Sequence, residues 1–347
     1  MSGSTLVLGQ PSSDITVLAA DIGGTHARIG IVRAADSGRS PGRLESFATY
    51  ECARYPSLDA MLSHYLREHA LGTVHYASIA CAGYLTHGRV LNSNLPWEVA
   101  LTQLKQSMGF RDLRLINDFE ALAHVAPELD GADSTWIAGP DQPVQNRMLV
   151  VGPGTGLGAA LNVPDGSGGR FVLTTEAGQA AFAPGNDEEL RVLSWLLGSA
   201  THVPVEQIVS GPGLLLLYRT LAAMEDRPST CGSPADVTEA ATDGNDPFAL
   251  RVLQIFCGLL GSTIGNLVLY YGAEGGVLLA GGILPRIIRF LRHSTFHERL
   301  VDKGLMRPVL EQVPIRLLER NDLGALGAAS WYLHRRPPSA LAREAID

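Results

Sequence analysis

Cysteine is scarce in this chain of 347 residues. Cys52, Cys81, Cys231 and Cys257 are the only four, and no two stand at the C-x-x-C spacing of a zinc site or a dithiol pair. No histidine cluster joins them. A disulfide framework and a cysteine-based metal site are excluded, and isolated thiols in a reducing compartment are expected. Positive charge is also in short supply. Lys and Arg number 27 against 35 Asp and Glu, a net charge of −8. The electrostatic footprint of a nucleic-acid binder is therefore missing, and an anionic membrane surface is no partner for the same reason. The first thirteen residues are rich in Ser and Gly, with no basic n-region and no cleavage pattern, and read as a flexible leader. The longest run without charge, Ile255–Tyr271, contains Gly261, Ser262, Thr263, Gly265 and Asn266. At about seventeen residues with that much polarity it falls short of a bilayer span and reads as a buried core helix.

What is present suits a compact α/β enzyme. Hydrophobic residues make up 46% and charged residues 18%, in a chain long enough for two domains. Ile15–Ala20 and Ala27–Arg33 read as the first two strands, and Glu45–Cys52 as a third. Ser57 is a ready N-cap for a helix whose apolar face carries Leu58, Met61, Leu62, Tyr65 and Leu66. His75–Ala80 and Arg89–Asn92 read as strands, and Trp97, Leu101, Leu104 and Met108 as a helix face. Leu113–Ile116 is a short strand and Phe119–Ala126 a helix, so Asn117 and Asp118 fall at a strand-to-helix junction.

The sharpest local feature is Asp21-Ile22-Gly23-Gly24-Thr25-His26-Ala27-Arg28. It joins two apolar runs through a hairpin whose tip is nearly all backbone, so main-chain N–H groups can approach an anion. Met148–Val151, Gly152-Pro153-Gly154-Thr155-Gly156-Leu157-Gly158 and Ala159–Val163 repeat the pattern. Val17–Thr25 and Leu149–Thr155 align as strand, then Gly/Thr tip, which indicates an internal duplication with a boundary near residues 118–146. Two such tips can grip one polyphosphate from both sides. Ser210 is a candidate cap for an apolar helix over Leu214–Ala223. Glu225–Asp246 reads as a surface excursion. Gly275–Gly282 is a strand closed by glycines at both ends, leading into a helix over Leu284–Leu291, and its glycine pair would admit a flat ligand such as adenine.

In order along the chain, Asp21–Arg28, Ile116–Phe119, Gly152–Gly158, Glu176-Ala177-Gly178-Gln179, Glu206 with Ser210–Gly213, and Gly276–Gly282 resemble the proteobacterial glucokinases, in the superfamily of actin, hexokinase and the large heat-shock chaperones. The zinc-binding cluster of the ROK-type branch is absent. The resemblance runs from about Val17 to Ala329 and implies an α/β fold of two ribonuclease-H-like lobes with a central cleft that closes on sugar. The implied division is a small domain over 14–118, onto which a helix at about 324–336 packs back, a large domain over 119–323, and tails at 1–13 and 337–347.

The resemblance implies ATP and Mg²⁺ as cofactors, glucose or a related hexose as acceptor at its 6-hydroxyl, a homodimer, and a cytoplasmic location at the first step of glycolysis. Asp118 matches the catalytic base. Asn117, Asn94, Glu176, Gln179 and Glu206 match the sugar site. Asp21, Ile22, Gly23, Gly24 and Thr25 match the first phosphate loop, Gly154, Thr155 and Gly156 the second, and Gly281 and Gly282 the end of the nucleotide-side strand. Asp21 is expected to reach the metal through water, with no protein-only metal site. Two positions depart from the family's usual pattern: His26 stands where Asn is usual, and Gln179 where His is usual. Capping preference by itself would make Asp118 an N-cap, and the two roles can coexist. The alternatives to a glucokinase are a kinase for another hexose or an amino sugar, a catalytically weak sugar-sensing paralogue, and a chaperone or filament ATPase, for which the chain is short.

Overall fold

In this computed structural model the described residues are 15–34, 44–86, 89–91, 95–129, 131–141, 146–198, 200–243 and 246–335. They fall into two compact units, one made of the described residues within 15–121 and 321–335 and the other of those within 122–320.

The first unit opens with β1 (Ile15–Ile22), β2 (His26–Ala34) and β3 (Glu45–Glu51), followed by α1 (Leu58–Glu68), β4 (Tyr76–Cys81), a small ribbon of β5 (Tyr84–Thr86) and β6 (Arg89–Leu91), α2 (Leu101–Met108) and β7 (Asp112–Asn117), and the chain passes into the second unit within α3 (Asp118–Val125). Its sheet runs β3-β2-β1-β4-β7, with β1, β4 and β7 mutually parallel. Successive side chains on a strand point to opposite faces. Leu18, Ala20 and Ile22 accordingly pack with Met61, Leu62, Tyr65 and Leu104 on one face. The neighbouring positions, such as Val17, belong to a separate cluster on the other face. Ser57 caps α1, accepting from the Ala60 N–H, as its sequence predicts. Trp97 lies ahead of α2, outside the helix its spacing suggested, and its indole donates to the Cys52 carbonyl.

The second unit holds β8 (Ser134–Ala138), β9 (Met148–Pro153), β10 (Leu157–Pro164), β11 (Arg170–Thr175), α4 (Asp187–Leu197), α5 (Gly211–Met224), α6 (Pro234–Thr242), α7 (Pro247–Tyr271), β12 (Gly276–Leu279), α8 (Leu284–His293), α9 (Phe296–Val301), α10 (Arg307–Leu310) and β13 (Ile315–Leu318). Its sheet runs β11-β10-β9-β12-β13-β8. The first five strands of that order repeat the first unit: an antiparallel three-strand meander, then two strands parallel to the first of it. The duplication read from the two Gly/Thr hairpins is thus a duplication of the whole sheet, with β8 added antiparallel at the edge.

The uncharged run is the core of α7. This is the one described helix long and apolar enough to cross a membrane, and its most apolar window is 72% buried in the protein. Its glycines serve packing: a Cβ on Gly261 would stand 2.0 Å from the Phe296 carbonyl, and one on Gly265 2.3 Å from that of Leu300. Two expectations need correction. The segment 225–246 is not only a surface excursion, because it contains α6, with Val237 and Ala241 buried and a capping box between Ser233 and Asp236. Helix α5 begins at Gly211 and not at Leu214, with Ser210 as its cap.

The last described element is α11 (Leu323–Arg335), which belongs to the first unit. Ala328, Trp331 and Tyr332 cover Val17, Tyr76, Ala80 and Ile116. Contact is close: a Cβ on Gly327 would stand 2.0 Å from the Ala121 carbonyl, and Ser78 Oγ donates to the Ala328 carbonyl at 2.6 Å.

Candidate functional site

In the first unit the tip of the β1–β2 hairpin is Gly23-Gly24-Thr25, between the opposed pairs Asp21/Arg28 and Ile22/Ala27. The Gly23 N–H donates to the His26 carbonyl at 3.0 Å and closes the turn. Cys52, just past β3, holds the tip from below. Its N–H donates to the Thr25 carbonyl at 2.9 Å and its thiol to the Gly23 carbonyl at 3.3 Å. Burial pushes the Cys52 thiol up from its ordinary range, so it stays an S–H donor at neutral pH. With both carbonyls drawn to Cys52, the amides of Gly24 and Thr25 are the groups this tip could offer to an anion. His26 serves the turn through its backbone, and its side chain is exposed.

Asp21 lies at the base of this tip. Burial raises its pKa, and the Arg28 guanidinium, 3.5 Å away across the ladder, works in the opposite direction. In the first turn of α11, Gly324 makes room for it, since a Cβ there would stand 2.7 Å from the Asp21 carboxyl carbon. Cys52, Arg28 and Gly324 had no role in the sequence reading. The Arg28 partnership is legible in retrospect, because a two-residue turn at Gly24-Thr25, closed between Gly23 and His26, sets Asp21 opposite Arg28. Nothing local points from Gly324 to Asp21.

Register places Ile22, Cys81 and Asn117 in one row across the parallel strands β1, β4 and β7. The carboxyl ends of parallel strands are where open α/β sheets bind ligands. Asn117 Oδ1 accepts from the Phe119 N–H at 2.9 Å and the Glu120 N–H at 3.1 Å, so Asn117 is the cap of α3. Asp118 is the first helical residue, and its carboxylate also accepts from the Phe119 N–H at 3.0 Å. The Cys81 thiol is pushed up to about 12, first by burial and then by the charges of Asp118 and Asp21, which marks both carboxylates as its neighbours.

In the second unit the β9–β10 hairpin leaves Gly154-Thr155-Gly156 as its tip. The Gly211 N–H, the first of α5, donates to the Gly154 carbonyl at 2.8 Å. Gly281 follows β12 with φ +104°, and a Cβ on it would stand 2.3 Å from the Pro153 carbonyl. Gly282 faces open space. The tip, the start of α5 and the Gly281–Gly282 turn therefore come together.

Beside that tip lies Glu206. Its Oε2 accepts from the Leu157 N–H at 3.3 Å and its Oε1 from Gln179 Nε2 at 2.7 Å. A short ladder sets the two residues side by side: the Phe182 N–H donates to the Val203 carbonyl and the Val205 N–H to the Ala180 carbonyl. Glu176 starts the single turn Ala177–Gln179, with its side chain exposed. Asn94 lies outside the described residues. No group of three or more metal-ligating side chains occurs among the described residues.

Each unit thus carries a Gly/Thr hairpin tip with acidic side chains beside it, an arrangement that could meet a phosphate with backbone donors. The family model described as Glucokinase matches residues 18–335. A glucokinase-like protein of Xylella fastidiosa is 42% identical over 92% of this chain and 95% of its own. A glucokinase of Tolumonas auensis is 37% identical over 91% and 96%. The crystal structure of a glucokinase from an Antarctic psychrotroph is 35% identical and superposes with a TM-score of 0.78, covering 92% of this chain and 99% of that one. With two ribonuclease-H-like units and these relatives, the chain is a sugar kinase and belongs to the glucokinase family.

Proposed function

We propose that the enzyme transfers the terminal phosphoryl group of ATP to the 6-hydroxyl of glucose, with Asp118 as general base. The observation that carries this reading is the division of labour at the start of α3. Asn117 caps the helix through two amides, so the carboxylate of Asp118 is not needed for capping. The helix N-terminus favours its ionised form. Phosphoryl transfer has a loose transition state, so the protein chiefly positions groups and neutralises charge. As the sugar oxygen bonds to phosphorus and the bond to the ADP oxygen breaks, the hydroxyl proton passes to Asp118.

The two Gly/Thr tips supply backbone donors to the phosphates, and Gly281 with Gly282 leaves space for the adenine. Glu206 and Glu176 accept from ring hydroxyls, with the amide of Gln179 beside Glu206 and Asn117 and Asn94 assigned by resemblance. Mg²⁺ commonly keeps several waters and takes one or two carboxylates besides the phosphates. The donor set fits that habit: Asp21 is a single carboxylate near the first tip, already paired with Arg28, suited to holding the ion through water. When bound, the ion neutralises charge on the phosphates. The product, glucose 6-phosphate, places the reaction at the entry to glycolysis, and the family resemblance supports a cytoplasmic homodimer with a small domain over 14–118 and a large one over 119–323.

Replacing Asp118 by Ala tests the reading. Sugar-dependent ADP release should fall by at least about 10²-fold. The melting temperature should barely move, since one charge at a helix start contributes about 0.5 kcal/mol. Near-normal turnover would sink the assignment. One observation favours a second reading: Gln179 engages Glu206 with a neutral amide where the family usually has His. That change bears on which sugar fits, and ATP consumption measured over a panel of hexoses and amino sugars separates a glucokinase from a kinase of another sugar.

A further inference from the structure

We propose that Gln179 is the positioning residue of Glu206 and that their contact makes sugar binding independent of pH across the neutral range. The proposal rests on the reading that Glu206 takes a sugar hydroxyl.

Both oxygens of Glu206 are held, Oε1 by Gln179 Nε2 at 2.7 Å and Oε2 by the Leu157 N–H at 3.3 Å. Bare backbone bounds the carboxylate on two sides. A Cβ on Gly156 would stand 2.5 Å from Oε2, and one on Gly178 2.9 Å from it. The group cannot rotate without losing both donors, so its remaining lone pairs point in fixed directions. Gln179 is fixed in turn. Its N–H donates to the Glu176 carbonyl at 3.0 Å, and its own carbonyl lies 3.0 Å from His202 Nε2. A carbonyl only accepts, so that histidine nitrogen is a donor whether the ring is neutral or charged. The titratable groups facing the pair are Glu176, at the start of the same turn, Glu206 itself and His202, which touches only the main chain of residue 179.

A primary amide donates to a carboxylate and carries no charge at any physiological pH. It keeps a second N–H and its oxygen for a ligand hydroxyl. An imidazole in the same contact would titrate near neutrality, with its pKa raised by the adjacent carboxylate. The choice of an amide therefore fixes Glu206 without adding a proton that comes and goes.

The test is glucose binding by calorimetry, without ATP, from pH 6 to 8.5, for the full-length protein and for Gln179→Ala and Gln179→His. The wild-type Kd is expected to stay flat. Gln179→Ala should weaken binding about tenfold at every pH, the loss of a donor to a charged acceptor, with the KM for ATP unchanged. Gln179→His should recover affinity but vary at least about threefold through its own titration. Proton NMR should place the introduced imidazole above the ordinary value of about 6.5. A Gln179→Ala Kd equal to wild type, or a wild-type Kd that steps near neutrality, overturns the proposal. If the wild type neither binds nor turns over glucose, the functional reading fails. The positioning claim is then decided by NMR alone: a raised imidazole pKa upholds it and an unshifted one overturns it.

Discussion

Cys52 shows how one side chain can sort the polarity of a loop. A hairpin tip exposes carbonyls as well as amides, and an anion is repelled by the former. Here the Thr25 and Gly23 carbonyls are taken by the backbone and thiol of Cys52, which burial keeps protonated. Removing the thiol frees one carbonyl toward the phosphate side. Cys52→Ala is therefore expected to raise the KM for ATP about fivefold, the worth of one neutral hydrogen bond, and to leave the KM for sugar unchanged. Cys52→Ser, whose hydroxyl can still donate, should recover most of the loss. Steady-state kinetics with each substrate varied in turn check this. A parallel rise in both constants would mean that the thiol only supports the fold. No sequence pattern announces such a role, because the thiol acts on a turn on the far side of β2 and β3.

Between residue and molecule, the elements most legible in the sequence are those with a strong period or a strong cap. Ser57 before an apolar helical face, the apolar runs on either side of each Gly/Thr tip, and the glycine-bounded strand of β12 all declare themselves locally. Helix α6 does not, because Pro, Ser, Thr, Gly and Asp dominate its surroundings and only the Ser233/Asp236 capping box betrays it. The strand β11, with Phe171 and Leu173 exposed at the sheet edge, shows no buried alternation to read. The contact between Gln179 and Glu206 is hidden for another reason: it depends on a ladder between two irregular segments. The turn after β12 makes an element-scale prediction. Gly281 has φ +104° and no room for a Cβ, whereas Gly282 has space around it. Gly281→Ala should cost about 1–3 kcal/mol of stability through forced backbone shifts and strain and weaken ATP binding. Gly282→Ala should weaken ATP binding with an unchanged melting temperature. Thermal melts paired with nucleotide titrations separate the two, and a Gly282→Ala variant with wild-type affinity would remove the adenine from this turn.

At the scale of the whole chain, the duplicated sheet is served in two different ways. The second unit is one continuous segment, 122–320, with its own core gathered around α7. The first unit is discontinuous. Its sheet comes from the start of the chain, but one face is covered by α11 from the other end, through Ala328, Trp331 and Tyr332 on Val17, Tyr76, Ala80 and Ile116. The same helix supplies the gap at Gly324 into which the Asp21 carboxylate fits. Closing the first core and shaping the base of the first Gly/Thr tip are therefore one event, completed only when α11 docks. A chain ended at Arg320 is expected to keep the cooperative transition of the 122–320 unit and lose that of the first, seen by calorimetry as a missing transition. Limited proteolysis with mass analysis should find cuts within 15–121 and protection across 122–320. Sugar-dependent ADP release should vanish with the first core, since Asp118 and Asp21 both stand on it. A truncated chain that still protects residues 15–121 would show that the strands and α1 with α2 suffice. The role of α11 would then shrink to the contact between Gly324 and Asp21, testable alone with Gly324→Ala.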